Sequence, residues 1–400
     1  MEIDMSAAAL KLVQDERITC AICGHRDHSL LEHIQQDHGL TLAEYGVQYP
    51  NAPTISAPLM AAWEAENRGV RRSVPCEIED LTVDLYGIQH PVNYRVPASL
   101  CGVKPQGYIY PQKGAAAGAM KRVTAFLNRG NVPVFFFGAP GTGKDVAFEA
   151  WSADTRTPMI KVAFTDATNV KHWFYSRSID PNRGTGWDFG VLWNALTVGV
   201  NGVAPLIVFS DVDRAKPAQL EELRLMLDTN GKSITGPSGE RVPVMPGVRF
   251  AFTANSNGNG DSTGKYSARR MDTSMLDRMG HKIQAAYMEW EEEASVLRSK
   301  FPALAESIPT LFDELGECVK VLRQALEGTH SQYDLEGEFT HRSLLLICDA
   351  ADMEHFTFGE AAPLGRAFET WINGLDDDNR LIARRLIDPH ITGGAFGKKN

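Results

Sequence analysis

The run Gly138-Ala139-Pro140-Gly141-Thr142-Gly143-Lys144-Asp145 carries the clearest chemical signal in the chain. It follows an apolar stretch, Val132 to Phe137, and precedes a helical-looking segment, Val146 to Ala150. A glycine-rich loop between a strand and a helix turns successive backbone N–H groups toward phosphate oxygens, and the helix N-terminus adds its positive end. Lys144 has the reach for the outer phosphates. The pattern, with Val146 opening the helix, predicts binding of ATP or GTP. The plainer alternative is a glycine-rich turn with a surface lysine.

The motif departs from its usual form at the last position, where a Ser or Thr hydroxyl normally binds Mg²⁺. Here that place holds Asp145. Downstream, Leu206-Ile207-Val208-Phe209-Ser210-Asp211-Val212-Asp213 has the form of a buried parallel strand ending in acidic residues. The usual order there is Asp for the metal, then Glu for the attacking water. This chain has Ser210 and Asp211. Carboxylate and hydroxyl look exchanged between the two motifs. Magnesium needs oxygen ligands and is indifferent to which segment supplies each one. Asp145 and Ser210 are therefore expected to share one Mg²⁺, with Asp211 as the water-activating group. Two alternatives stay open: Asp211 as metal ligand with Asp213 as base, or a site that holds nucleotide without hydrolysing it.

A second cluster lies near the N-terminus. Cys20 and Cys23 form a CxxC knuckle, nine residues precede His33, and four more precede His38. Two thiolates and two imidazoles on one helical face suit tetrahedral Zn²⁺. Leu30, Leu31 and Ile34 would pack a core too small to stand without the metal. His25 and His28 are competing ligands placed too near the knuckle to close the loop well. A reduced CxxC with surface histidines is the alternative.

The elements that must position these residues follow from pattern. Strands at Met159–Phe164, Leu206–Ser210 and Val248–Thr253 alternate with helical stretches at Ala115–Asn128, Ala167–Tyr175, Leu192–Val200 and Gln219–Leu227, which implies a parallel α/β sheet. Arg177 to Phe189 reads as a loop, and the glycines and prolines of Gly231 to Gly247 punctuate a β-hairpin. Trp290–Phe301, Ile308–Leu326, His341–Ala351 and Pro363–Ile372 read as helices of a C-terminal lid. Gly374 to Asn379 reads as an acidic turn, and the tail from Gly393 as disordered. The expected organisation is a zinc-finger module over 1–49, a linker and irregular entry segment over 50–107, an α/β ATPase core over 108–290 and an α-helical lid and tail over 291–400. Residues 1–17 read as a short polar helix, and 50–75 as a linker with one short helix.

With 400 residues the chain can bury a sizeable core, and its net charge of −10 disfavours nucleic-acid binding over the whole surface. No apolar run is long enough for a membrane span, and no leader opens the chain, so a cytoplasmic protein with no membrane role is expected. Only Cys20 and Cys23 of the six cysteines are closely spaced, which suits a metal site rather than a disulfide framework.

From Tyr108 to Trp290 the chain resembles AAA+ ATPases of the MoxR branch, most closely the ATPase subunit of aerobic cobaltochelatase. The resemblance rests on Gly141-Thr-Gly-Lys144, Phe209-Ser-Asp-Val-Asp213 with Pro217, Leu227-Asp228, Phe252-Thr-Ala-Asn255-Ser-Asn-Gly-Asn-Gly260-Asp261, Gly264-x-Tyr266 and Leu276-Asp277-Arg278. It implies a P-loop AAA+ fold and a homo-oligomeric, hexameric ring. It also implies Asn255 as the residue orienting water, Arg278 as an arginine finger for the neighbouring subunit, and Arg342 as a lid residue reaching the nucleotide. It further implies a protein partner carrying a von Willebrand A-type domain, touched by the segments 177–189 and 231–247. Cys20 to Tyr45, with His38-Gly-Leu-Thr41-x-x-Glu44-Tyr45, resembles the zinc fingers of the Ros/MucR regulators, which bind DNA. Here Lys11, Arg17 and Arg26 face eight acidic residues over 1–50, so docking to protein is the favoured expectation. The expected function is a ring-forming ATPase remodelling a protein partner. The alternatives are a cobaltochelatase-type metal-insertion motor and a weakly hydrolysing assembly or DNA-binding scaffold.

Overall fold

The computed structural model describes residues 17–27, 29–40, 45, 48, 49, 52–54, 56, 82–93, 96–180, 184–228, 231–260 and 268–392. The chain divides into two compact units, Met1–Glu79 and Asp80–Asn400.

In the first unit, β1 (Ile18–Thr19) and β2 (Arg26–Asp27) pair antiparallel around the cysteine knuckle, and α1 (Leu31–His38) follows. Gly39 ends the helix at φ 65°, a left-handed conformation that glycine adopts without a Cβ penalty. Cys20, Leu30, Ile34 and Tyr45 form the small core. The Tyr45 hydroxyl accepts from Ala21 N at 2.9 Å and ties the knuckle to that core. All of the expected helix over 1–17 but Arg17, the short helix near 63–72, the competing ligand His28, and Thr41 and Glu44 lie outside the described residues.

The second unit begins with a hairpin, β3 (Thr82–Leu85) and β4 (Ile88–Pro91), where an irregular entry was expected. Helix α2 (Gly114–Arg129) then leads to β5 (Val134–Phe137), followed by α3 (Lys144–Thr155) and β6 (Met159–Ala163). Short α4 (Lys171–Phe174) runs into β7 (Tyr175–Asp180), which pairs with β8 (Gly184–Phe189). This hairpin replaces the expected loop over 177–189. Its Tyr175, Arg177, Trp187 and Phe189 share one face of the hairpin, and its glycines hide the period-two signal. Helix α5 (Val191–Thr197) precedes β9 (Leu206–Ser210).

The amphipathic segment near Gln219–Leu227 is not one helix. Pro217 opens α6 (Pro217–Glu221), and Arg224–Leu227 continues as a 3₁₀ turn. The hairpin expected within 231–247 is present as β10 (Ser233–Thr235) paired with β11 (Arg241–Pro243). Strand β12 (Arg249–Ala254), helix α7 (Thr273–Arg278) and β13 (His281–Gln284) complete this part.

The central sheet is entirely parallel in the order β13-β5-β12-β9-β6. Leu206 to Phe209 and Phe250 to Phe252 are essentially inaccessible, because helices cover both faces. This is the α/β P-loop core. The helical region follows as α8 (Trp290–Lys300), α9 (Pro302–Ser307), α10 (Leu311–Leu326), α11 (His341–Phe356), α12 (Leu364–Ile372) and α13 (Asp377–Ile387) around Leu297, Phe312, Leu315, Phe339 and Phe368. Of the expected acidic turn at 374–379, residues 374–376 are non-helical and 377–379 already belong to α13. Asp376 caps it by accepting from Asn379 N at 2.9 Å, and Asp377 and Asp378 complement the helix dipole. The tail from Gly393 lies outside the described residues. No helix among those described is long and apolar enough to cross a membrane.

Candidate nucleotide site and candidate metal centre

The glycine-rich loop joins the C-terminal end of β5 to α3. Gly138 has φ 148°, and a Cβ there would stand 2.8 Å from the Ala285 carbonyl oxygen. Gly141 has φ 71°, and a Cβ there would meet the Thr340 Cβ at 2.5 Å. Both positions therefore require glycine, and the second brings the start of α11 against the loop. Lys144 Nζ donates to Gly138 O at 2.8 Å, Ala139 O at 2.9 Å and Asn255 Oδ1 at 3.1 Å. Burial lowers the Lys144 pKa against the opposing pull of Asp145, Asp213 and Asp211. An anion at the loop would favour its charged form.

Asp145 and Ser210 come together. Ser210 Oγ donates to Asp145 Oδ2 at 3.1 Å, and Thr253 Oγ1 donates to Asp145 Oδ1 at 2.7 Å. Three oxygen-bearing side chains from α3, β9 and β12 thus meet beside the loop. Lys161 on β6 adds a cation 3.7 Å from Asp145 Oδ2 and also pairs with Glu149 at 2.5 Å. Sequence reasoning missed Thr253 and Lys161. Each belongs to a strand whose neighbour in space is distant in the chain, and no local spacing signals that contact.

Asp211 follows β9 with φ 53°, a left-handed conformation that Asp tolerates better than most residues. Burial, with the Asp145 and Asp213 carboxylates adding to it, holds its carboxyl above the ordinary range. Asp213 is 1% exposed. Its Oδ2 accepts from the backbone N–H of both Asn255 and Ser256 at 2.9 Å. That geometry fixes the loop carrying Asn255 and gives Asp213 a positioning role. It does not suit the base assigned to Asp213 in the alternative alignment.

A cavity of about 210 Å³ opens beside Gly141, Thr142, Gly143 and Val146. Tyr108, Ile109, Met120 and Leu345 give it an apolar wall, and Glu293 and His341 a polar one. An apolar slot next to a phosphate-binding loop fits a nucleoside. Arg342 is exposed at the start of α11. Arg278, at the end of α7, donates to Ser274 O at 2.9 Å on its own helix. The structure hydrogen-bonds Lys144 to Asn255 and Asp145 to Ser210, sets Asp211 within electrostatic reach of Asp145 and Lys144, and leaves Arg278 and Arg342 outside these contacts.

The first unit holds a separate cluster. Ligand atoms of Cys20, Cys23, His33 and His38 all lie within 4.8 Å of one another. Cys20 Sγ is 3.5 Å from His38 Nε2, Cys23 Sγ is 3.2 Å from His33 Nε2, and the two Nε2 atoms are 3.1 Å apart. Sulfur at about 2.3 Å and nitrogen at about 2.0 Å from one zinc would stand roughly 3.3–3.8 Å from each other, so the set fits that ion. His33 Nδ1 meets Asp37 Oδ2 at 2.6 Å, the outer contact that orients a ligating imidazole. Burial opposes Cys20 ionisation, but hydrogen bonds from Cys23 and Ile22 N–H and from His33 outweigh it and bring the thiol down to about 6. His25 stacks on His33 at 4.3 Å between ring centroids and is not one of the four converging ligands.

Residues 133–279 match the AAA domain (dynein-related subfamily), so the chain carries a domain of that family. No curated protein matches the chain. Among solved structures, a mutant of Thermotoga maritima RuvB is similar at 14% identity and TM-score 0.41, over 70% of this chain and 78% of that one. The Thermotoga maritima RuvB Holliday junction branch migration motor is similar at 12% identity and TM-score 0.40, over 68% and 76%. At these values the likenesses carry no argument about what this chain acts on.

Proposed function

We propose that the chain is an ATPase of the MoxR type that couples ATP hydrolysis to remodelling of a protein partner. The observation that carries the reading is the meeting of Asp145, Ser210 and Thr253 one residue beyond Lys144, at the carboxyl ends of adjacent parallel strands. Loop N–H groups from Gly141 to Lys144 bind the phosphates, and the cavity beside them takes the nucleoside. Asp145 and Ser210 would hold Mg²⁺, which when bound neutralises charge on the phosphate oxygens. Asp211, with its raised pKa, accepts a proton from the attacking water. Asn255, fixed by Asp213, orients that water. Arg278 and Arg342 act when subunits assemble and the lid closes. A hexameric ring and a partner with a von Willebrand A-type domain belong to this reading through resemblance. A place in the cytoplasm belongs to this reading through the sequence, which has no apolar run long enough for a membrane span. A cobaltochelatase-type role would differ in the partner. The cysteine–histidine cluster is read as a structural Zn²⁺ site that holds a small protein-docking module together.

One observation favours a second reading, an ATP-held scaffold that scarcely hydrolyses. Lys161 stands 3.7 Å from Asp145 and competes with Mg²⁺ for that carboxylate. Steady-state phosphate release with Mg²⁺-ATP, compared with Lys144→Ala, separates the two. Turnover lost in Lys144→Ala supports the motor. ATP binding without turnover at any protein concentration supports the scaffold.

A further inference from the structure

Glu293 sits on α8 with its side chain 1% exposed, yet it borders the nucleoside cavity. A carboxylate so deeply buried must be paired. Arg323 on α10 grips it through two hydrogen bonds, of 2.8 Å and 3.1 Å. His341 Nδ1, at the first residue of α11, lies 2.9 Å from Glu293 Oε1. Burial works to raise the Glu293 pKa, but the His341 and Arg323 contacts prevail and keep it low. The guanidinium of Arg323 in turn lies 4.3 Å from the Tyr287 ring centre, and Tyr287 Oη donates to Pro140 O in the glycine-rich loop at 2.9 Å. Three lid helices and the loop thus meet at one ion-paired cluster.

This cluster presents one atom to the ligand. Arg323 already makes two hydrogen bonds to Glu293, so the imidazole tautomer with its proton on Nδ1 donates to Glu293 Oε1 and completes the carboxylate's partners. Nε2 is then an acceptor, on a residue that lines the cavity. Thr340, one residue before His341, abuts Gly141 of the phosphate loop. His341 therefore lies at the phosphate-proximal end, while Tyr108, Ile109, Met120 and Leu345 line the apolar part that suits a flat base. In a nucleotide the sugar lies between phosphates and base.

We propose that His341 accepts a hydrogen bond from a ribose hydroxyl of the bound nucleotide, with Glu293 and Arg323 as the residues that position it. The proposal rests on nucleotide binding at the loop as read above. It makes the site selective for ribonucleotides and ties sugar recognition to the lid helices α8, α10 and α11.

The test is equilibrium binding of ATP, 2′-deoxy-ATP and 3′-deoxy-ATP, each with Mg²⁺, to the full chain by titration calorimetry. Wild type should bind ATP on the order of five- to ten-fold more tightly than at least one deoxy analogue, the worth of one neutral hydrogen bond. His341→Phe should bring ATP down to the affinity of that analogue and leave the analogue's affinity unchanged. His341→Gln, which returns an acceptor near the Nε2 position, should regain part of the preference. Equal binding of all three by wild type, or an undiminished preference in His341→Phe, overturns the proposal. If His341→Phe binds none of the three, His341→Leu, which also lacks the acceptor, decides: loss of the preference supports the proposal and an undiminished preference overturns it. If wild type binds no nucleotide at all, the reading of the site falls first and this inference falls with it.

Discussion

Ser210 Oγ donates to Asp145 Oδ2 across 3.1 Å, joining two positions 65 residues apart in the chain. The first is where the strand facing a phosphate-binding loop ordinarily has a carboxylate, and the second is where that loop ordinarily has a hydroxyl. Their direct contact means that the pair still presents one hydroxyl and one carboxylate to the same space. In the proposed reading the exchange is compensated in type and charge, and Asp145 and Ser210 would supply the oxygens a hard cation needs.

Thr253 should matter to that site although it lies outside every usual motif position. Its hydroxyl holds Asp145 Oδ1 at 2.7 Å. Thr253→Val keeps the β-branched shape on β12 and deletes only the hydrogen bond. ATP affinity measured across a Mg²⁺ titration should fall about five- to ten-fold at limiting Mg²⁺, with little change in melting temperature.

Lys161 should act in the opposite direction. Its ammonium lies 3.7 Å from Asp145 Oδ2 and is more firmly held by Glu149. Burial works to lower its pKa, but Glu149 and Asp145 raise it overall, so it stays charged at neutral pH. In Lys161→Met the competing cation is gone, and the Mg²⁺ concentration giving half-maximal ATP binding should drop several-fold. An unchanged value would mean that Asp145 is not a metal ligand.

The phosphate loop, its strand and the parallel sheet were legible because each signal is local: glycines at fixed offsets, then short apolar runs buried on both faces. The CxxC and the two histidines were legible for the same reason. Contacts that exist only after the sheet assembles left no local trace, as with Lys161 and Thr253 around Asp145. The β7–β8 hairpin was obscured by Gly184 and Gly186, which leave gaps in its alternation. The start of α13 reads as a turn in sequence because Asp376 to Asp378 combine capping and dipole-matching residues that also favour turns. The nucleoside cavity draws on residues from Pro105 to Leu345, so no segment announces it.

The purified protein should contain about one zinc per chain, read by elemental analysis, and Cys20→Ser or His38→Ala should lose most of it. A core of Cys20, Leu30, Ile34 and Tyr45 is too small to hold α1 without a metal. Stripping zinc with a chelator should raise amide exchange over Leu31–His38 by orders of magnitude and leave the central sheet protected. Protection of α1 that survives chelation would remove the metal from its folding.

His90 gives the fold a defined acid sensitivity. It is fully buried, and Nδ1 accepts from Trp151 Nε1 at 3.2 Å. Burial, aided by Arg249 and opposed by Asp84, pushes its pKa from 6.5 down to about 4. Between those values the unfolded chain binds the proton and the folded chain does not. This residue's contribution therefore leaves stability level above about 6.5 and lowers it as pH falls toward 4, by on the order of 2–3 kcal/mol. His90→Gln should flatten that part of a melting-temperature profile between pH 7 and pH 4.

The exchanged pair itself is tested by steady-state ATP hydrolysis with Mg²⁺ on four chains: wild type, Asp145→Ser, Ser210→Asp and the double variant. Asp145→Ser leaves two hydroxyls and no carboxylate, and Ser210→Asp sets a second carboxylate against Asp145 where a hydroxyl had donated. Both single changes should reduce turnover by about 100-fold or more, and the double variant, with hydroxyl and carboxylate in their usual places, should recover most of it. A double variant no more active than either single one, or a wild type that binds ATP and never turns it over, would contradict the account.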